Sequence, residues 1–240
     1  MGCNLRERGD EQVSEPGRRV RKIDIDDIVR VGRELGMRHL SLSAVAAELD
    51  VSTTALYRHV DGRWGLERAV GESLLDDLVL HDDPAHDATQ HLLSFGLQLR
   101  AFVLANPGLG TYMQTLFPRG EAGRRLMVHE VAALARRGYT PDLAIILSSA
   151  VAGNTINYAV ADENQQERAE GLEDQRRNVT NQLATDAELG TTHRELPTFT
   201  HDEYVKLVLT AIIRGLVAVA PPGRPLEQVV ADLAATGMGI

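Results

Sequence analysis

Between Ser41 and Leu66 the chain reads SLSAVAAELDVSTTALYRHVDGRWGL. Leu42, Val45, Ala46 and Leu49 recur at i, i+3, i+4 and i+7, the apolar stripe of an amphipathic α-helix. Ser41 stands just before the stripe, where its hydroxyl can accept from the unpaired N–H groups of the first turn. Asp50-Val51 breaks the period, and Val51 can plug the gap between two helices. Ser52 is a second N-cap candidate. Ala55 and Leu56 then face the first helix, leaving Thr53, Thr54, Tyr57 and Arg58 outward. His59-Val60 closes this short helix, and Asp61-Gly62 leads into another at Arg63. Upstream, Ile25, Ile28, Val29 and Leu35 predict a supporting helix that ends at Gly36, a natural C′ residue. Helices joined by so short a turn match the helix-turn-helix motif. A second helix with a hydroxyl- and aromatic-rich face, not an acidic one, suits the major groove of DNA.

Residues 23–80 resemble the N-terminal domain of the TetR family of bacterial transcriptional regulators. The resemblance is carried by LSLSAVAAELDVSTTALYRHV, above all Leu56-Tyr57-Arg58-His59-Val60, and by Arg63 and Leu66 at the start of the next helix. It implies that Tyr57, His59 and Arg63 contact the DNA backbone, with Ser41 as a helper. It places Ser43, Thr53 and Thr54 at base edges. Hydroxyls both donate and accept, so they discriminate bases weakly. Part of the specificity is therefore expected from DNA shape or from Arg58. Two positions depart from the family pattern. Asp50 stands where Gly is frequent, and Asp tolerates the left-handed conformation better than most residues. Asp61 brings a negative charge close to the phosphates. Outside this resemblance, Tyr57 reads as an aromatic at the core edge and His59 as a helix-end residue favoured by the dipole.

The chain has 240 residues and a net charge of −9, an unexpected balance for a DNA-binding protein. Its distribution accounts for most of it. Residues 1–68 hold 12 basic and 12 acidic side chains, whereas residues 69–240 hold 13 and 22. The N-terminal part is thus neutral, with a basic cluster, Arg18, Arg19, Arg21 and Lys22, suited either to phosphate or a minor groove or to a solvated tail. Residues 1–17 read as disordered. Hydrophobic residues make up 43% and aromatic residues only 4%, and no run alternates over a strand length. An all-α fold is expected. The single cysteine, Cys3, is consistent with a reducing cytoplasm. No apolar signal segment opens the chain. No stretch reads as a membrane span, the candidate 205–220 being interrupted by Arg214.

The domain organisation expected is a flexible arm over 1–20, a DNA-binding domain over 21–68, and a ligand-binding and dimerisation domain over 69–240. A linking helix is predicted over Arg63–Leu80, followed by helices near 86–105, 109–116, 120–137 and 141–162. One lies within 164–184, another covers 201–220, and Leu226–Ala235 adds a short last one. Leu143–Val160 and Tyr204–Val219 are apolar over more than one face, so they must be covered on several sides. Pairing with a second copy is the simplest solution, and Ser148, Ser149, Ala152 and Gly153 would allow close approach. Phe199-Thr200-His201-Asp202-Glu203-Tyr204 resembles the approach to the dimerisation helix of the tetracycline-repressor-like subclass. A homodimer would space two recognition helices by about one DNA turn, roughly 34–36 Å, to read a palindromic operator.

His91, Phe95, Gln98 and Phe102 share one face of the long helix, and Asn154, Asn157 and Tyr158 interrupt an apolar one. These polar groups need partners: each other across an interface, or a largely apolar small-molecule effector with a few polar groups. His81, Asp82, Asp83, His86 and His91 lie close together but match no strict metal spacing, so neither a metal nor another cofactor is expected. No nucleophile, base and orienting group stand at recognisable spacing, so no enzyme is expected. The reading is a ligand-responsive, cytoplasmic transcriptional regulator, most simply a repressor released from its operator by an effector. The alternatives are an activator of the same fold, or an all-α ligand-binding protein or enzyme without DNA binding.

Overall fold

The structure, a computed structural model, describes residues 23–116 and 120–237. The basic N-terminal cluster, Cys3 and the expected arm lie outside the described residues. The regular structure of the described residues is twelve α-helices and no strand.

α1 (Ile25–Leu35) starts at a capping box in which Asp24 accepts from the Asp27 N–H and Asp27 from the Asp24 N–H. Its buried face is Ile28, Val31 and Gly32, whereas Ile25 is exposed. The stripe is therefore turned by one position from the predicted one. Gly32 is what lets α1 lie against α4 (Gly62–Leu75): a Cβ there would stand 2.4 Å from Val70 Cγ2. α2 (Leu42–Glu48) is capped by Ser41, whose Oγ accepts from the Ala44 N–H at 3.1 Å. Asp50 turns the chain with φ +53°, the left-handed conformation expected of it. α3 (Thr53–Leu56) follows at once. Ser52 occupies its N-cap position but makes no side-chain capping bond.

α4 ends at Leu75, short of the Leu80 expected, and Arg125 caps this end. The Arg125 guanidinium donates to Leu75 O and to Asp76 Oδ1, both at 3.0 Å. The chain runs on without helix, burying Leu78 and Leu80, to the capping box of α5 (Ala88–Ala105) at Asp87 and Gln90. α6 (Leu109–Leu116), α7 (Glu121–Ala135) and α8 (Pro141–Glu167) complete the core of the C-terminal bundle with α5. α8 extends beyond the expected Asp162 because its charged last turns find partners. Arg100 donates to Asp162 at 2.7 Å, the Gly108 N–H donates to Glu163 at 3.0 Å, and Arg38 Nε pairs with Glu167 at 2.8 Å. α9 (Ala169–Thr185) bends at Glu170-Gly171, and α10 (Gly190–Glu195), α11 (His201–Val219) and α12 (Leu226–Ala235) follow.

α8 is the central helix, packed on α5, α6, α7 and α11. By length and apolarity it could cross a membrane, which corrects the expectation that no stretch reaches that size, but half of its most apolar window is buried in the fold. The apolar core is continuous from Ile28 to Ile213, and α4 carries it between the two ends, contacting α1 and α2 on one side and α6 and α7 on the other.

Candidate nucleic-acid interface and ligand cavity

Leu56 is fully buried and pins α3 to the core of the N-terminal helices. Thr53, Thr54, Tyr57, Arg58 and His59, on α3 and in the turn that follows it, are all exposed, with Tyr57 at 59%. Ser43 is exposed one helix earlier, and its Oγ lies 3.1 Å from that of Ser41. Ser41 is half-buried and spends its acceptor on the α2 cap. Arg63, at the start of α4, is exposed and pairs with Glu67 at 2.6 Å. A phosphate would have to draw the guanidinium away from that partner. Exposed i,i+4 pairs are weak, so the exchange is cheap. Thr53, Thr54, Tyr57, Arg58 and His59 are thus exposed within one seven-residue stretch, with exposed Ser43 and Arg63 on the helices before and after it.

Within the C-terminal bundle a cavity of about 400 Å³ lies between the segment after α4 and helices α5 to α8. Leu78, Leu80, Phe95, Leu99, Met113 and Ile156 make most of its wall, and Glu130, Ser148, Gln114 and Asn157 contribute polar groups. Of the residues predicted to bind a ligand, Phe95 and Asn157 stand in this wall. Asn157 accepts from Gln114 Nε2 at 2.9 Å. The others do not line the cavity. Gln98 bridges to both backbone groups of His81, accepting from the N–H at 2.8 Å and donating to the carbonyl at 3.0 Å. Asn154 donates to Ala150 O within its own helix. Phe102 packs half-buried against the core, and Tyr158 is half-buried.

His91 is buried between two carboxylates, with Nδ1 3.0 Å from Asp82 and Nε2 3.1 Å from Glu130. Asp82 also accepts from Arg137 at 2.6 Å and from Arg136. Burial opposes its charge, but the bonds from Arg137 and Arg136 and the charge of His91 prevail and hold the Asp82 carboxyl well below the usual carboxylate range. The His81–His91 cluster therefore contains an ion-pair network. No group of three or more residues suited to a metal is found among the described residues. Sequence reasoning missed Glu130 as a wall residue. The signal was available: Leu126, Glu130, Ala133 and Leu134 share the buried stripe of α7, and a carboxylate on an apolar stripe needs a reason.

No protein-family model and no curated protein matches the chain. Solved structures do. ActR of Streptomyces coelicolor, a TetR family protein in complex with actinorhodin, superposes with a TM-score of 0.71 at 21% identity, over 83% of this chain and 99% of its own. A further TetR regulator of the same organism gives 0.61 at 20% identity over 82% and 99%. A TetR from Acinetobacter baumannii AYE in complex with minocycline gives 0.57 at 18% identity over 82% and 98%. Over most of its length, then, from the helix-turn-helix through the cavity-bearing bundle, this chain has the all-α fold of the TetR regulators.

Proposed function

We propose that the protein is a ligand-responsive transcriptional regulator of the TetR family, working in the cytoplasm as a repressor. The observation that carries this is an exposed run of Thr53, Thr54, Tyr57, Arg58 and His59 in a helix-turn-helix that shares its core with a cavity-bearing bundle. Tyr57, His59 and Arg63 hold phosphates, with Ser41 aiding at its helix start. Ser43, Thr53, Thr54 and Arg58 face bases. The DNA is a palindromic operator read by a homodimer. The dimer reading is supported by the exposed apolar stripe of Tyr204, Leu207, Ala211, Gly215 and Val219 on α11, beside exposed Ile145 and Ile146 on α8. Gly215 and Gly153 have nothing within 4 Å of a Cβ position, which leaves room for a second helix.

The effector occupies the cavity, with Phe95 and Asn157 in contact with it, and the protein leaves its operator as a result. α4 and the segment after it are the bistable link, since Leu78 and Leu80 line the cavity while α4 begins at the DNA surface. That ActR binds actinorhodin and the A. baumannii protein binds minocycline supports a small molecule in this position.

The test is retention of fragmented genomic DNA by the purified full chain, with the Tyr57→Ala, Arg63→Ala double variant as control. One or a few palindromes retained, lost in the control and weakened steeply by salt, is the expected outcome. Equal retention by the control would overturn the assignment of this surface.

A further inference from the structure

The cavity wall holds one feature that shape alone does not explain. Glu130 is 2% exposed, yet it stands in a wall made largely of aliphatic, methionine and phenylalanine side chains. One of its carboxylate oxygens, Oε2, faces His91 Nε2 at 3.1 Å. The other, Oε1, is buried and accepts no hydrogen bond. A buried carboxylate oxygen without a donor is costly, and native structures rarely keep one without a function. The nearby groups are already committed. His91 is held between Asp82 and Glu130, Arg136 and Arg137 are turned to Asp82, and Ser148 donates to Ala144 O at 2.7 Å within α8. Gln114 Nε2 is turned to Asn157 Oδ1.

We propose that Glu130 Oε1 is the acceptor for a hydroxyl of the effector, so that the ligand is a neutral, mostly apolar molecule whose phenol or alcohol group donates to this carboxylate. The inference rests on the cavity being the effector site. Neutrality follows from the charges around Glu130. Asp82 and Glu130 bring two carboxylates to the cluster and Arg136 and Arg137 two guanidinium groups, so its acids are already balanced without counting His91. An ammonium brought here would leave water for a site whose negative charge is already matched, and desolvating an ion without a full counter-charge is unfavourable. A hydroxyl donates at no such cost. The rest of the molecule meets Leu99, Met113, Leu126 and Ile156 and contributes through burial of apolar area.

Three matched probes test this on the full chain: 2-naphthol, 2-methoxynaphthalene, which cannot donate, and 2-naphthylmethylamine, which is cationic. Affinities are read by equilibrium dialysis for the native protein, Glu130→Gln, Glu130→Leu and the cavity-filling Leu99→Trp, each checked for helix content. Ala152→Leu replaces Leu99→Trp if the latter does not fold. The native protein is expected to prefer 2-naphthol to the ether by about tenfold, the value of one hydrogen bond to a charged acceptor. The preference narrows in Glu130→Gln, vanishes in Glu130→Leu, and both probes are lost when the cavity is filled. Equal binding of naphthol and ether, both lost in the filled cavity, overturns the role of Glu130 and leaves the cavity as the effector site. Tighter binding of the amine overturns the neutral class. No binding of any probe, or binding that survives filling of the cavity, overturns this inference together with the effector site on which it rests.

Discussion

Tyr112 Oη on α6 donates to Glu72 Oε1 on α4 at 2.9 Å, and the same carboxylate accepts from the Ala122 N–H at the start of α7 through Oε2, also at 2.9 Å. One side chain of α4 thus holds two helices of the C-terminal bundle. The fit is close: Cβ atoms at Gly71 or Gly120 would collide with Tyr112 and with the Glu72 carboxylate, at 2.5 Å and 1.8 Å.

Removing this hydroxyl has a measurable pH signature. Burial, and then the bond and charge of Glu72, raise the Tyr112 phenol above its ordinary value of about 10. A raised folded-state value means stability fully present below about pH 10 and lost as pH climbs through the folded-state value. Tyr112→Phe should cost about 1–2 kcal/mol at pH 7. The gap between native protein and variant should shrink above pH 10. Urea midpoints measured from pH 7 to 11 check this; a constant gap would contradict the role of the phenol.

Asp82 behaves in the opposite sense. Its lowered value means stability present above about pH 4 and lost as pH falls further. Asp82→Ala leaves the buried Arg137 without its carboxylate and should cost about 3 kcal/mol at pH 7. The loss should diminish in acid, as the native carboxylate also becomes protonated. Thermal melts at pH 7 and at pH 3 compare the two.

Gly108 has φ +86°, and a Cβ there would stand 2.6 Å from the Arg38 backbone nitrogen, across the junction between the N-terminal helices and the C-terminal bundle. Gly108→Ala combines a left-handed penalty of about 1–2 kcal/mol with that collision. Arg38→Ala, by contrast, removes a partly exposed guanidinium from Glu167 and, at 3.7 Å, from buried Glu163, which keeps its bond from the Gly108 N–H, so the smaller loss is expected there. Chemical unfolding should rank Gly108→Ala well below Arg38→Ala. The reverse order would mean that charge, and not backbone approach, holds the junction.

Asn157 joins the cavity wall to Gln114. Asn157→Leu should weaken the effector response while leaving DNA binding without effector unchanged. A DNA-release titration against effector concentration reads both quantities at once. Unchanged sensitivity would remove Asn157 from the site.

The sequence by itself determined the local elements. Leu42, Val45, Ala46 and Leu49, the Ser41 cap and the turn at Asp50 specify the helix-turn-helix through contacts only a few residues apart, and the outward face of α3 follows from where Leu56 must go. Most helix positions in the C-terminal bundle were legible for the same reason, since Pro, Gly and capping residues act within one turn. The cavity was not legible. His91 and Gln98 share a face with Phe95, but which of them meets open space depends on what the neighbouring chain offers. Asp82 and Glu130 claim His91, and the His81 backbone claims Gln98. Glu130 reached the wall because α7 packs on α8 and presents the one acid of its buried stripe there. The cap on the end of α4 likewise came from Arg125, far along the chain. Periodicity and capping are local and can be read from the chain; the partner of a buried polar group is set by packing between distant segments, and only the tertiary structure decides it.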